Sequence, residues 1–269
     1  MTAHSMIVAQ ISDCHVSLEP WRGVADTIGG LKRAIASINA FVPRISLVLV
    51  SGDLAAAGTA DEYRVARELL SSLVPPFCLI PGNHDLRAPM TSAFPELFDA
   101  GLHPDFLCHD RLVGGTRFLG LDTIIENQSG GELCGRRLEW LENKLAQQPD
   151  RDTVIVMHHP PFRTGLEIID RHPFGGAGEF ERIVAARPNV RGVWCGHAHR
   201  MMSTRCAGIP AYVAPSTGFQ LPLDLTGEVA RTFNQEPPGY LVHAIAEDAI
   251  VTYPQLVDRF QEFPLRPGH

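Results

Sequence analysis

The sequence predicts an α/β protein built around a buried, largely parallel β-sheet. Short apolar runs rich in β-branched residues alternate along the chain with segments of helical spacing. Such alternation is typical of a sheet whose faces are covered by helices. The 269 residues contain no internal repeat and no low-complexity linker. We therefore expect one compact domain over residues 1–253, followed by a C-terminal arm over residues 254–269.

Six apolar runs of four to six residues predict the strands of the first two thirds of the chain. Each is bounded by turn residues, which favours a buried strand over a helix. The runs are residues 7–11, 45–50, 77–80, 118–121, 154–157 and 190–194.

Between these runs, apolar residues spaced three or four apart predict helices. The first stripe ends before Pro43, and the second follows a capping-box pattern from Thr59 to Glu62. The four stripes are Leu31, Ile35 and Ile38; Tyr63, Ala66, Leu69, Leu70 and Leu73; Leu138, Leu141 and Leu145; and Phe180, Ile183 and Val184.

The C-terminal third predicts antiparallel or mixed strands at residues 209–214, 240–246 and 249–253. Residues 215–239 between them show little periodicity, which is typical of a functional loop such as a lid or cap. We expect substrate specificity to depend on this loop and on residues 85–109 and 162–178.

Charge and cysteine content exclude several classes of function. The formal charge of −7 opposes binding to long nucleic acids. No run of 18 apolar residues is present, so no membrane span is expected. The N-terminus lacks the apolar core of a signal peptide, and the six cysteines are scattered. These features predict a cytoplasmic protein with reduced thiols.

Five polar clusters each follow one of the apolar runs. Ligands of open α/β sheets bind outside the carboxyl ends of the strands, so these clusters are expected to share one edge. They are Asp13-Cys14-His15, Gly52-Asp53, Gly82-Asn83-His84-Asp85, His158-His159-Pro160-Pro161 and Gly196-His197-Ala198-His199. Jointly they are unlike simple strand caps, because strand caps do not require histidine.

The side-chain types in these clusters are those of a metal site. Residues two apart in an extended segment point the same way, so both members of each Asp-x-His or His-x-His pair can face one site. Oxygen and imidazole donors without thiolate suit Mn, Fe, Zn or Co ions. Seven ligands are too many for one catalytic ion but sufficient for two ions that share a carboxylate.

In order and composition, the five motifs resemble those of the calcineurin-like metallophosphoesterase superfamily. The His-His-Pro-Pro form and the chain length look most like the bacterial class III cyclic-nucleotide phosphodiesterases and glycerophosphodiesterases. The resemblance implies a four-layer αββα sandwich of two mixed sheets flanked by helices. It places a dinuclear metal site at the C-terminal ends of the strands.

The resemblance also implies a role for each site residue. One divalent or mixed-valence ion would take Asp13, His15 and His199, the other would take Asn83, His158 and His197, and Asp53 would bridge them. His84 matches the family's non-ligand histidine that contacts the phosphate. Asp85 would orient the His84 imidazole, and His159 would support the site without binding an ion.

The activity so implied is hydrolysis of small organic phosphodiesters, either cyclic nucleotides or glycerophosphodiesters, by in-line attack of a metal-bridging hydroxide. A phosphomonoesterase or nucleotide pyrophosphatase using the same site is the alternative. A binding module that has lost catalysis would not need seven converging donors. Relatives are often oligomers, but no interface stripe marks a homo-oligomer here.

Three further polar residues have other interpretations. Alternation along an extended segment points the Cys14 thiol away from the site, which predicts a packed side chain. Asp122 follows a strand but matches no ligand motif, so a structural role is expected. His172 precedes a glycine-rich stretch and is a candidate for contact with substrate.

Overall fold

Two mixed β-sheets lie at the centre of the computed structural model, which describes residues 6–98, 103–228 and 232–265. In the first sheet the order is β11-β10-β1-β2-β3, and in the second it is β4-β5-β6-β7-β9-β8. The strands are β1 Met6–Ile11, β2 Leu47–Ser51, β3 Phe77–Ile80, β4 His109–Val113, β5 Thr116–Leu121, β6 Thr153–Met157, β7 Val190–Cys195, β8 Met202–Cys206, β9 Ile209–Val213, β10 Gly239–Ile245 and β11 Ile250–Leu256.

Six α-helices accompany these strands in the described part of the chain. They are α1 Thr27–Asn39, α2 Ala60–Leu70, α3 Arg87–Ala93, α4 Gly135–Gln147, α5 Glu167–Asp170 and α6 Ala177–Ala185. The predicted capping box begins α2, because the Thr59 hydroxyl accepts from the Glu62 amide and the Glu62 carboxylate accepts from the Thr59 amide. All four predicted apolar stripes fall in or directly after helices.

The strands alternate their side chains between two cores, as the period of two requires. In β1, Ala9 packs in the core that α1 and α2 cover, whereas Val8 packs in the core between the sheets. A third core lies under α4 and α6 on the outer face of the second sheet. The four-layer αββα arrangement is therefore confirmed, with the central core formed by one face of each sheet.

The strands that flank the predicted sites are parallel. β1 pairs with β2 and β2 with β3 in parallel, and so do β5 with β6, β6 with β7 and β7 with β9. Their carboxyl ends consequently meet at one edge of each sheet. The pairs β10 with β11, β8 with β9 and β4 with β5 are antiparallel and lie at the margins, and β1 also pairs antiparallel with β10.

Several elements differ from the prediction. The edge strands β4 and β8 and the helix α3 were not expected from the apolar pattern. In β8 the three central residues are exposed, so its sequence lacks the apolar alternation of a half-buried strand. β11 continues to Leu256 through pairing with β10, so the first three residues of the expected arm belong to the sheet. Residues 266–269 of that arm lie outside the described residues.

The long segment 215–239 has no helix among its described residues, and residues 229–231 lie outside them. An isolated bridge joins Gln220 to Asn234, which folds the segment back on itself. All six cysteines are free, as expected. No helix in the described ranges has the length and apolar character needed to cross a bilayer.

Candidate metal centre

The predicted ligands lie on five loops that leave the carboxyl ends of β1, β2, β3, β6 and β7. Each ligand follows its strand by one to four residues. Because these strands are parallel neighbours within their sheets, the loops converge at one edge of the sandwich. The structure thus brings the five sequence clusters together in space.

The backbone at these loops is left-handed at single non-glycine residues, a conformation that costs of order 1 kcal/mol or more and concentrates at functional sites. Five of the proposed ligands have it: Asp13 (φ 51°), His15 (φ 43°), Asp53 (φ 51°), His197 (φ 73°) and His199 (φ 48°). The expectation that Asp13-x-His15 and His197-x-His199 are extended is therefore wrong. In each motif both ligands have left-handed backbone on either side of the middle residue, Cys14 or Ala198, and this conformation turns both side chains toward one site.

Two glycines at the site leave no room for a side chain, because a proposed ligand lies against the backbone of each. Gly52 has φ +99°, and a Cβ there would lie 2.3 Å from Nδ1 of His158. A Cβ on Gly82 would lie 2.2 Å from a carboxylate oxygen of Asp53. Any side chain at either position would therefore displace a proposed ligand.

One group of donors comprises Asp13, His15, Asp53 and His199, whose ligand atoms all lie within 4.8 Å of one another. Nε2 of His15 is 3.0 Å from Nε2 of His199 and 3.6 Å from the Asp53 carboxylate. Nε2 of His199 is 3.3 Å from the Asp13 carboxylate. All four side chains are buried.

A second group comprises His158, His159 and His197, again with ligand atoms within 4.8 Å. Nε2 of His158 lies 3.2 Å from the Asn83 amide oxygen and 3.4 Å from the Asp53 carboxylate. Asp53 therefore contacts a histidine of each group, as a bridging ligand would.

Hydrogen bonds at Nδ1 of His158 and His199, on the side of each ring away from the carboxylates, show that the pocket suits a cation. The Nδ1–H of His158 faces the Ser51 carbonyl at 2.8 Å, and that of His199 faces the Phe219 carbonyl at 2.9 Å. In the neutral imidazoles, these bonds leave the Nε2 lone pairs directed at carboxylate oxygens. Acceptors that face one another at 3.2–3.4 Å require a proton or a metal ion between them.

Burial and neighbouring charges set the protonation of the group. Burial keeps the pKa of His15 and His159 well below the usual range, and burial with the nearby His158 lowers that of His197 to about 3. Despite burial, the His158 imidazole holds the pKa of Asp53 well below its usual value. Against the effect of burial, the Asp53 carboxylate in turn raises the pKa of His158 to about 9, so without a metal this ring holds a proton beside Asp53. A divalent ion would replace that proton, because imidazoles bind metals in the neutral form.

His159 occupies a more central position than its predicted supporting role. Its Nδ1 is 2.8 Å from the Thr123 hydroxyl, while its buried Nε2 has no hydrogen-bond partner among the described residues. A ring nitrogen of His159 belongs to the second donor group. The sequence signal was the His-His doublet itself, which does not reveal which ring faces the ions.

His84 lies at the edge of the first group, with its ring centre 4.7 Å from that of His15. Its backbone N–H donates to the Asp53 carboxylate at 2.8 Å, and its Nδ1 lies 2.8 Å from the Ala56 carbonyl. This carbonyl orients the imidazole. The Nε2 atom is left for other partners.

The expectation that Asp85 orients the His84 imidazole is wrong. The Asp85 carboxylate accepts hydrogen bonds from the backbone of Leu54, Ala55 and Gly82 and from the Tyr63 hydroxyl. Burial and the Asp53 charge raise the pKa of Asp85 to about 6. Asp85 therefore ties the loops after β2 and β3 together and acts on the site through the backbone.

Two pockets open onto the metal centre. The aromatic pocket, of about 690 Å³, is lined by Trp21, Arg22, Asn83, His84, Phe219 and Phe233, among others. The Phe162 pocket, of about 460 Å³, is lined by His159, Pro161, Phe162, Phe174 and Glu181, among others. His172 and His197 line both. Two of the three expected specificity segments, 162–178 and 215–239, thus reach the site.

The remaining residues singled out in the sequence have structural contacts. Cys14 is buried in the core under α1 and α2, and burial raises its thiol pKa to about 12. Asp122 accepts two hydrogen bonds from the Arg87 guanidinium, at 2.6 and 2.9 Å. The packed thiol and the structural carboxylate are both confirmed.

Comparison with known proteins agrees with this geometry. The family model of calcineurin-like phosphoesterases matches residues 6–201. A protein of Arcobacter nitrofigilis, named a probable glycerophosphodiester phosphodiesterase, is 31% identical over 262 residues, or 95% of each chain. The 3′,5′-cyclic adenosine monophosphate phosphodiesterase of Escherichia coli K12 is 31% identical over 217 residues, 79% of this chain and 76% of its own.

Solved structures show the same architecture at low sequence identity. A dimetal phosphatase from Danio rerio superposes with a TM-score of 0.73 at 13% identity, covering 94% of this chain and 97% of its own. This similarity concerns the fold alone. Together with the family match over residues 6–201, it leads to one assignment. The chain belongs to the calcineurin-like phosphoesterase family.

Proposed function

We propose that this protein is a metal-dependent phosphodiesterase that hydrolyses small organic phosphodiesters. The observation that carries the proposal is the convergence of six oxygen and imidazole donors around Asp53, with His158 and His199 held so that Nε2 faces the carboxylates. Glycerophosphodiesters and cyclic nucleotides are the substrate classes that the names of the relatives supply.

The ligand assignment belongs to the same proposal. One ion would take Asp13, His15 and His199, the other would take Asn83, His158 and His197, and Asp53 would serve both. The two donor groups and their contacts through Asp53 support this division. Manganese, iron, zinc or cobalt suits such ligands. His159 is close enough to the second group to be an additional ligand.

When bound, two divalent ions supply Lewis-acid activation of water and neutralise charge on the phosphoryl oxygens. The chain itself supplies a proton donor. Nε2 of His84 is the atom placed to donate a proton to a leaving alkoxide, because Nδ1 is engaged by the Ala56 carbonyl. Trp21 and Phe219 form an apolar wall beside it.

The direct test is hydrolysis of bis(p-nitrophenyl) phosphate by protein reconstituted with Mn²⁺, before and after chelation. We expect turnover that chelation abolishes and added metal restores. A parallel panel of p-nitrophenyl phosphate and a dinucleoside pyrophosphate, compared by kcat/KM, separates a diesterase from a monoesterase or pyrophosphatase. Turnover that survives complete metal removal would refute the proposal.

The ligand role of Asn83 has its own test. We expect Asn83→Ala to lose nearly all activity and about one ion per chain, because its amide oxygen is 3.2 Å from Nε2 of His158. Elemental analysis and phosphodiesterase assays measure both effects. Asn143→Ala, at an exposed position of α4, is the matched control. An Asn83→Ala protein with full activity and metal content would contradict the assignment.

A further inference from the structure

We infer that the centre cleaves acyclic phosphodiesters in a fixed direction: the arm bound in the aromatic pocket leaves as the alcohol, and the arm bound in the Phe162 pocket stays on phosphorus. The inference rests on the proposed phosphodiesterase function and adds the substrate geometry and the bond that breaks. For a diester with one aromatic and one alkyl ester group, it predicts that the aromatic group leaves.

The two pockets adjoin at the metal centre. His197, a proposed ligand, lines both, as do Ile169 and the exposed His172. The aromatic pocket extends past Asn83, whereas the Phe162 pocket extends past His159. A phosphate held at the centre therefore has a separate cavity for each of two ester groups. A 3′,5′-cyclic phosphate joins both ester oxygens to one ribose, so it would fill one cavity only.

The aromatic pocket suits a planar group. The Trp21 and Phe219 rings are 10° from parallel with centres 5.5 Å apart, and Phe233 is 5.1 Å from Phe219. The exposed Arg22 guanidinium lies 5.6 Å from the Trp21 ring centre. Planar aromatic groups gain from such ring contacts beyond their area burial.

The Phe162 pocket is smaller, at about 460 Å³ against about 690 Å³. Pro161 and Phe162 provide an apolar wall next to His159. Glu181 lies exposed on the pocket's rim, and its carboxylate can accept hydrogen bonds from hydroxyl groups. A short or hydroxylated alkyl arm therefore fits this cavity better than the aromatic one.

The direction of cleavage follows from the position of His84, which lines the aromatic pocket and not the Phe162 pocket. Water attacks phosphorus, its oxygen joins the phosphoryl group, and the bond from phosphorus to the oxygen of the aromatic arm breaks. His84 donates a proton to that departing oxygen, and the proton lost by water goes to solvent. The products are the aromatic alcohol and the monoester of the second arm.

Benzyl methyl phosphate tests the inference, because benzyl alcohol and methanol have similar acidity and only benzyl alcohol carries an aromatic ring. With metal-loaded protein in ¹⁸O-water, we expect benzyl alcohol and ¹⁸O-labelled methyl phosphate, in at least tenfold excess over methanol and benzyl phosphate. We expect Phe233→Ala and Trp21→Ala to reduce this excess severalfold. Phe233 is the primary variant, because its ring contacts Phe219 rather than a proposed ligand.

Phe162→Ala is the matched control in the other pocket. It should keep the preference for benzyl release and raise the KM for dibenzyl phosphate severalfold. An equal mixture, predominant methanol release, or an excess unchanged in Phe233→Ala and Trp21→Ala overturns the inference. So does failure to turn over benzyl methyl phosphate when bis(p-nitrophenyl) phosphate is hydrolysed. Absence of metal-dependent hydrolysis of bis(p-nitrophenyl) phosphate would instead refute the underlying phosphodiesterase function.

Discussion

Backbone carbonyls fix the orientation of three imidazoles at the centre. Ser51, Phe219 and Ala56 each face the Nδ1 atom of a histidine at 2.8–2.9 Å. Bonds of this kind fix the tautomer of a metal ligand and hold its ring in place. In His158 and His199 they direct Nε2 at carboxylates, and in His84 they leave Nε2 for the substrate.

Removing the His84 imidazole should separate proton donation from metal binding. We expect His84→Ala to lower kcat for benzyl methyl phosphate by about 10²–10⁴-fold with unchanged metal content, because the proposed general acid is lost. The effect on bis(p-nitrophenyl) phosphate should be much smaller, because p-nitrophenolate leaves without protonation. The loss should be larger for diesters whose leaving alcohols are weaker acids. Equal losses across a series of leaving groups would argue against proton donation.

His243 is a buried histidine away from the centre that should make stability depend on pH. Its ring stacks on Trp194 at 3.6 Å, and its Nε2 and Nδ1 lie 3.2 Å from Gln10 Oε1 and 2.9 Å from the Thr252 hydroxyl. Burial lowers its pKa to about 3, whereas the unfolded chain has the ordinary value near 6.5. The unfolded state therefore binds the proton first as pH falls.

We expect the His243 contribution to stability to be complete above about pH 6.5 and to be lost progressively down to about pH 3. Urea unfolding of metal-free wild-type and His243→Gln proteins at pH 7.5 and pH 4.5 measures it. The wild type should lose more free energy of unfolding than the variant over this interval, by an amount of order 1 kcal/mol or more. Equal losses would show that His243 titrates normally.

Among the elements, helix α2 links a local sequence signal to the metal centre. Its capping box fixes the helix start, and Tyr63 in its first turn donates to Asp85 while accepting from the Leu86 amide. Asp85 in turn accepts from the backbone of the loop that carries Asp53. The helix therefore supports the ligand loops as well as the outer core.

We expect Thr59→Ala to lower the free energy of unfolding by about 0.5–2 kcal/mol, since the Glu62 amide loses its capping acceptor. Thr59→Ser keeps a hydroxyl and should stay close to wild type. Chemical denaturation followed by circular dichroism measures both. A loss of the same size in the serine variant would show that packing of the threonine methyl group matters more than the cap.

For the molecule as a whole, the core between the sheets joins the two halves of the metal centre. The first sheet carries the loops of Asp13, Asp53 and Asn83, and the second carries those of His158 and His197. Leu49 of β2 and Val156 of β6 are buried in this shared core. Displacement of one sheet against the other would separate Asp13, His15 and Asp53 from the histidines of the second sheet.

Leu49→Ala should therefore lower the free energy of unfolding by about 2–5 kcal/mol through loss of apolar contact and the cavity left behind. We expect circular dichroism and tryptophan fluorescence to report a single coincident transition, because the sheets share this core. Leu18→Ala, at an exposed position, is the control. Separate transitions by the two probes would show that the sheets unfold independently.

Most of the fold could be predicted from the sequence because the central strands and the helices that cover them carry their own periodicity. Residues 47–50 of β2 and 154–157 of β6 are apolar throughout, as strands buried on both faces are. Strands β4 and β8 carry little of this signal, because edge strands owe their form to pairing with a neighbour. The extension of β11 to Leu256 has the same origin.

The order of the polar clusters after the strands was enough to determine which residues gather at one edge, since parallel strands place their carboxyl ends together. Only the tertiary structure decided the left-handed backbone at Asp13 and His199, the inward position of His159, the tie formed by Asp85 and the two pockets. These features depend on contacts between loops far apart in the chain. Local propensity and spacing describe each loop alone, whereas packing among the loops fixes where their side chains point.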